Sequence, residues 1–102
     1  MHQEVKNRDE FEAAVKEGDV LVDFWATWCG PCMMMGQRID AEILPAMPGL
    51  KVVKVNVDEA DPALPAAFGV TSIPYLVCYR NGAKAAEFVG VTPAAEILAA
   101  FK

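Results

Sequence analysis

Cys29 and Cys32 are the side chains in this sequence best suited to do chemistry. They close the run Val20-Leu21-Val22-Asp23-Phe24-Trp25-Ala26-Thr27-Trp28-Cys29-Gly30-Pro31-Cys32. In a first helical turn, residues three apart have Cβ atoms about 5–6 Å apart, a small adjustment from disulfide geometry. Such a pair can open and close without rebuilding the fold. A thiol at a helix N-terminus also faces unsatisfied backbone N–H groups and the positive end of the helix dipole, both of which favour thiolate. Cys29, at the helix entrance, is therefore the expected nucleophile, and Cys32, one turn inside, the shielded resolving thiol. Gly30 permits close backbone approach, and Pro31 suits an early helical position where its missing N–H costs nothing.

Other uses of the pair are weaker. A structural bridge closing so short a loop removes little unfolded-state entropy. A zinc site would need more soft ligands, and only Cys78 and His2 remain. Reversible thiol chemistry is the reading the residues favour.

The elements that must position these thiols are readable in order. Asn7 and Glu10 form a capping-box pattern, and Phe11, Ala14 and Val15 give an apolar helical face over about Arg8 to Glu17. Only Met1 to Lys6 precede it, so a first strand there must be short. Leu21 to Trp25 is apolar on both faces and predicts a central strand. Asp23 interrupts it, and a carboxylate in such a place is costly unless paired or neutralised, so burial should raise its pKa. A helix is expected from Pro31 to Leu44, ending before Pro45. Met33, Met34 and Met35 cannot all face inward at helical geometry, so at least one should be exposed beside the thiols.

Farther along, Val52, Val53, Val55 and Val57 mark a strand from Lys51 to Asp58, parallel to the first because a helix crosses between them. A short helix follows from Pro62 to Phe68, stopped by Gly69, and then a loop at Thr71 to Pro74. Tyr75 to Arg80 and Lys84 to Val89 form an antiparallel hairpin around Asn81-Gly82, a pair suited to a type I′ turn. Cys78 reads as a small buried hydrophobe. Thr92 is the expected cap and Pro93 the start of a last helix through Phe101, with Ile97, Leu98 and Phe101 facing the sheet.

Trp28-Cys29-Gly30-Pro31-Cys32 resembles the active-site motif of the thioredoxin family residue for residue. The resemblance continues in Asp23-Phe24-Trp25-Ala26, Lys54-Val55-Asn56-Val57-Asp58, Ile73-Pro74, Asn81-Gly82 and Val89-Gly90, and it covers nearly the whole chain. It implies an α/β thioredoxin fold: a central mixed sheet of four to five strands flanked by helices on both faces, as a single domain over 1–102. It also implies that Asp23 is the buried acid assisting proton transfer at Cys32, and that Lys54 lies near it. Further implications are a cis Ile73–Pro74 bond facing the disulfide and an apolar rim of Trp28, Ile73, Pro74 and Gly90, joined by Gly30 and Pro31, that recognises protein partners. The activity implied is reduction of protein disulfides. Flavin and NADPH would reside only on a partner thioredoxin reductase, and the chain itself would carry no cofactor beyond the Cys29–Cys32 disulfide and no metal.

The sequence departs from the family pattern at two places. Met33 stands where a lysine is common, and Gln37 where a helix-kinking proline is common, implying a less positive site surface and a straighter helix. The Gly-Pro pair between the cysteines resembles reducing members rather than oxidising ones. Alternatives are a thioredoxin-like binding subunit in which turnover is dispensable, or a disulfide oxidant or isomerase.

Size and charge agree. A chain of 102 residues, 54% apolar and 23% charged, has room for one core. A net charge of −5 disfavours nucleic-acid and anionic-membrane binding. Protein partners and a monomeric state are expected. No basic start with an apolar core opens the chain, so a cytoplasmic location is expected.

Overall fold

The continuous apolar run of the central strand needs cover on both faces, and the fold supplies it with helices on each side of a five-stranded sheet. In a computed structural model, residues 2–102 are described; Met1 lies outside them. The strands are β1 (His2–Glu4), β2 (Asp19–Trp25), β3 (Lys51–Asn56), β4 (Tyr75–Arg80) and β5 (Ala83–Val89). The helices are α1 (Arg8–Val15), α2 (Gly30–Arg38), α3 (Ala63–Ala67) and α4 (Ala94–Ala99). Strand order is β1-β3-β2-β4-β5. β1 and β2 pair parallel with β3, whereas β4 runs antiparallel to β2 and β5 antiparallel to β4. The mixed sheet is as expected, with β2 at its centre and a three-residue β1 at its edge.

Side-chain alternation on β2 divides the interior into two layers. Val20, Val22 and Phe24 face Phe11 and Val15 of α1 and Leu64 of α3. Leu21 faces the opposite layer, where Met35, Ile39 and Ile43 pack with Ile97 and Phe101. Cys78 lies in this second layer, fully buried and free, and burial pushes its thiol up to about 11. It is a packing group, as its mid-strand position suggested.

Local chemistry sets the element ends. Asn7 Oδ1 accepts the Glu10 N–H at 2.9 Å, and Glu10 Oε1 accepts the Lys6 N–H at 2.9 Å, so the capping residues work as a pair. Asn81 and Gly82 have φ of 51° and 84°, the left-handed pair a type I′ hairpin needs. Asn81 also exchanges two bonds with Gly18, its N–H donating to Gly18 O at 2.9 Å and its Oδ1 accepting the Gly18 N–H at 3.0 Å. This clamps the hairpin onto the turn that ends α1, which stops at Val15 rather than at Glu17.

Two further expectations are corrected. The segment from Pro31 to Leu44 is not one α-helix: after Arg38 the chain takes a π-helical turn over Ile39–Ile43, with Leu44 N–H donating to Ile39 O at 2.9 Å. The absent proline therefore does not leave a uniform helix. In α geometry a four-residue repeat drifts by about 40° per step. The wider turn keeps Met35, Ile39 and Ile43 aligned, and all three are essentially inaccessible to solvent. Nor does Thr92 cap α4, because its hydroxyl donates to Gly90 O at 3.0 Å and Pro93 occupies the cap position without a side-chain bond.

Phe24 fills the α1/α3 layer against Phe68 and Tyr75, with ring centroids 5.2 and 5.6 Å away. Phe24→Ala is expected to lower stability by about 3–5 kcal/mol in chemical denaturation, whereas Met34→Ala on the exposed face of α2 changes it by less than about 0.5 kcal/mol.

Candidate functional site

β2 ends at Trp25, and four residues later the chain enters α2 with Cys29 as the N-cap. Cys29 has extended backbone angles, and its Sγ accepts the Cys32 N–H at 3.1 Å. The two cysteines are joined as a disulfide with Cα atoms 5.2 Å apart, within the usual span for such a bond. Pro31 lies in the first turn of α2, where no N–H is required of it. Cys32 is shielded at 2% exposure, as expected, but Cys29 at 5% is also more enclosed than a helix entrance suggests. Ala26, Trp25, Val57 and Ile73 pack around the pair.

The bonding at this N-cap explains what the pair can do. A thiolate at Cys29 would gain a charge-assisted bond from Cys32 N–H and the favourable end of the helix dipole. Opening the disulfide leaves the backbone donor in place.

Across from the helix, the Ile73–Pro74 peptide is cis, and the Ile73 carbonyl oxygen is 3.9 Å from Cys29 Sγ. Gly90, at φ 86°, donates its N–H to Pro74 O at 2.8 Å, fixing the two loops to each other. Trp28 stands 70% exposed, its Nε1 donating to Asp58 Oδ2 at 2.7 Å. Asp58 was not singled out as a site residue, although it lies two residues beyond β3 and its own N–H is held by Asn56 Oδ1 at 2.9 Å. Beside Trp28 runs a groove of about 400 Å³ lined by Pro62, Pro65, Val70 and Ile73. A cavity of about 450 Å³ between α1, α3 and the hairpin shares no residue with this groove.

A Cβ added at Gly30 would meet nothing within 4 Å, so no part of this chain needs the close approach that glycine permits; the space opens outward. Met33 and Met34 are exposed on the same helix while Met35 is buried. Met35 and Arg38 were not singled out as site residues, yet both hold the loop after Gly90. Thr92 N–H donates to Met35 Sδ at 3.4 Å, and Arg38 Nη1 donates to Thr92 O at 3.1 Å.

Asp23 is 1% exposed, and its Oδ1 has no hydrogen-bond partner among the described residues. Burial raises its pKa to about 6, with Lys54 pulling it down and Glu4 pushing it up. Lys54 is its register partner on β3, but the ammonium lies 4.4 Å over the Trp25 ring centroid instead of closing on the carboxylate. The expected acid and lysine are thus neighbours without a direct ion pair.

A family model described as Thioredoxin matches residues 2–102. The thioredoxin of Haemophilus influenzae is 45% identical over 94 residues, covering 89% of this chain and 86% of that protein. The thioredoxin of Listeria monocytogenes is 42% identical over 87 residues, covering 85% and 84%. Among solved structures, oxidised mitochondrial thioredoxin 3 from Saccharomyces cerevisiae superposes with a TM-score of 0.85 at 31% identity, covering 97% of this chain and 92% of that one.

Because the folded chain holds the Asp23 proton up to about pH 6 while the unfolded carboxyl releases it near 3.8, stability falls as pH rises through that window. Asp23→Asn removes this penalty. Denaturation of the oxidised proteins is expected to show the variant more stable by about 2–3 kcal/mol near pH 8 and the difference gone below about pH 4.

Proposed function

The chain belongs to the thioredoxin family and is a thiol–disulfide oxidoreductase, and we propose that within this activity Cys29 attacks and Cys32 resolves. The observation that supports this assignment is the bond from Cys32 N–H to Cys29 Sγ at 3.1 Å, which would stabilise a thiolate at Cys29.

In the reducing direction, Cys29 thiolate attacks one sulfur of a substrate disulfide, and the other substrate sulfur leaves as thiolate. Cys32 then loses its proton and attacks Cys29 Sγ, releasing the second substrate sulfur and closing the Cys29–Cys32 disulfide. Two electrons have passed to the substrate. Asp23 is the acceptor for the Cys32 proton: with a pKa of about 6 it is mostly ionised at neutral pH and still close enough in basicity to exchange protons. Lys54, on the adjacent strand, supplies positive charge that tunes it.

Substrate proteins dock as extended segments against Trp28, Gly30, Pro31, Ile73, Pro74 and Gly90. Support comes from the exposed Trp28 ring, the open space at Gly30 and the Ile73 carbonyl held beside Cys29. Thioredoxins act with reductases and disulfide-bearing proteins. For this chain a flavin- and NADPH-carrying thioredoxin reductase is the proposed electron donor, the cytoplasm the proposed location and a monomer the working unit. No helix among the described residues is long and apolar enough to cross a membrane.

The decisive measurement is the potential of the Cys29–Cys32 couple, equilibrated against glutathione and dithiothreitol with Trp fluorescence as readout. A value near −270 mV is expected, and one above about −180 mV would instead make the protein an oxidant or isomerase. Cys29→Ser is expected to abolish disulfide reduction. Cys32→Ser is expected to accumulate a mixed disulfide through Cys29, detected as a substrate adduct by mass spectrometry.

A further inference from the structure

Glu4, Lys54 and Asp23 occupy one row across the sheet. β1 places Glu4 opposite Lys54, and β3 places Lys54 opposite Asp23. All three fall on one face of the sheet, because their neighbours Val5, Val53, Val55, Val22 and Phe24 face the α1/α3 layer. One ammonium therefore serves two carboxylates. It closes on neither among the described residues and rests over Trp25, 4.4 Å from the ring centroid. Asp23 Oδ1 is left buried without a hydrogen-bond partner, while the Trp25 side chain favours the ionised form of Glu4.

We propose that Glu4 is a positioning residue, competing from the edge strand for the single Lys54 ammonium and keeping that charge from settling on Asp23. The proposal rests on the reading of Asp23 as proton acceptor for Cys32 and adds a control exerted from β1. With Glu4 ionised, Lys54 is drawn toward the sheet edge and Asp23 remains a good base. With Glu4 neutral, Lys54 is free to turn to Asp23, which then holds a proton less well.

The electrostatics run the same way. Burial raises both carboxyls, Lys54 is the largest opposing influence on each, and the Glu4 charge pushes Asp23 further up. Around the row, Cys78 on β4 is kept a neutral thiol by burial and Cys32 on α2 is held in the disulfide, while Glu59 and Lys6 act on Glu4. Two strand spacings separate Glu4 from Asp23 by about 10 Å, where a unit charge screened as in water alters a protonation equilibrium about two-fold.

The test is the Asp23 titration, followed by its side-chain carboxyl carbon NMR signal in the oxidised chain at low ionic strength. Glu4→Gln is expected to raise the ratio of ionised to protonated Asp23 near pH 6 by clearly more than the change of about two-fold that the lost charge alone gives, because Lys54 is also released toward Asp23. Glu4→Asp, which keeps the charge, should titrate like the unaltered protein. In a Lys54→Met background only the direct charge effect of about two-fold should remain. A shift of about two-fold or less in Glu4→Gln, an equal shift in Glu4→Asp, or an undiminished shift without Lys54 would each overturn the proposal. Because the readout is equilibrium protonation, it is independent of whether Asp23 serves Cys32. That role fails separately, if Asp23→Asn resolves mixed disulfides at the unaltered rate.

Discussion

The hydrogen bond from Cys32 N–H to Cys29 Sγ joins the end of the central strand, the start of α2 and the redox group in one contact. A helix N-terminus is normally capped by a side-chain oxygen. Here the cap is a sulfur, and on the proposed reading it is the one whose charge changes during the reaction. A disulfide sulfur accepts weakly, and a thiolate at the same place accepts strongly and meets the helix dipole. The helix start thus favours the reduced, ionised state of Cys29 without having to move. That works only if the strand delivering Cys29 is rigid, and β2 has neighbours on both edges and side chains buried on both faces.

The same burial that makes β2 rigid makes Asp23 costly. A carboxylate enclosed by apolar side chains is driven toward its neutral form unless charge is brought near. The sheet brings it laterally, through Lys54 on β3, and Trp25 accommodates the ammonium by its ring face, an arrangement worth more where water is scarce. The result is an acid whose ionisation falls in the range where thiols also exchange protons, instead of one locked in either state. A tight ion pair would have held Asp23 permanently charged and a poor proton acceptor.

The motif and the periodicities made most of this legible. The apolar run of β2, the Asn7 cap, the Asn81-Gly82 turn and the valine-rich β3 each express a local rule, and each folded as that rule requires. What escaped were contacts across long sequence separations. Thr92 has the chemistry of a cap, yet its hydroxyl is turned to Gly90, and its backbone is bonded by residues more than fifty positions away. The π turn after Arg38 was invisible because its cause is the fit of Ile39 and Ile43 against the second core layer, not any local breaker. Lys54 is the register partner of Asp23, but its ammonium lies over Trp25, a placement no local pattern encodes.

Those long-range contacts give α2 a second task. Met35 is fully buried in the core layer, and its sulfur also receives the Thr92 N–H; Arg38, one turn later, holds the Thr92 carbonyl. The loop they anchor carries Gly90, whose N–H is bonded to Pro74 O beside the cis peptide. A continuous chain of contacts thus runs from the helix that presents the sulfurs, through the loop after β5, to the Ile73 carbonyl facing Cys29. On the proposed reading, the reactive atom and the backbone that aligns a substrate segment are positioned by one helix, so their separation is kept when either side is pushed by a docking partner. On the same reading, Met33 and Met34, exposed on the outer side of that helix, give a docking partner an adaptable apolar contact beside the sulfurs.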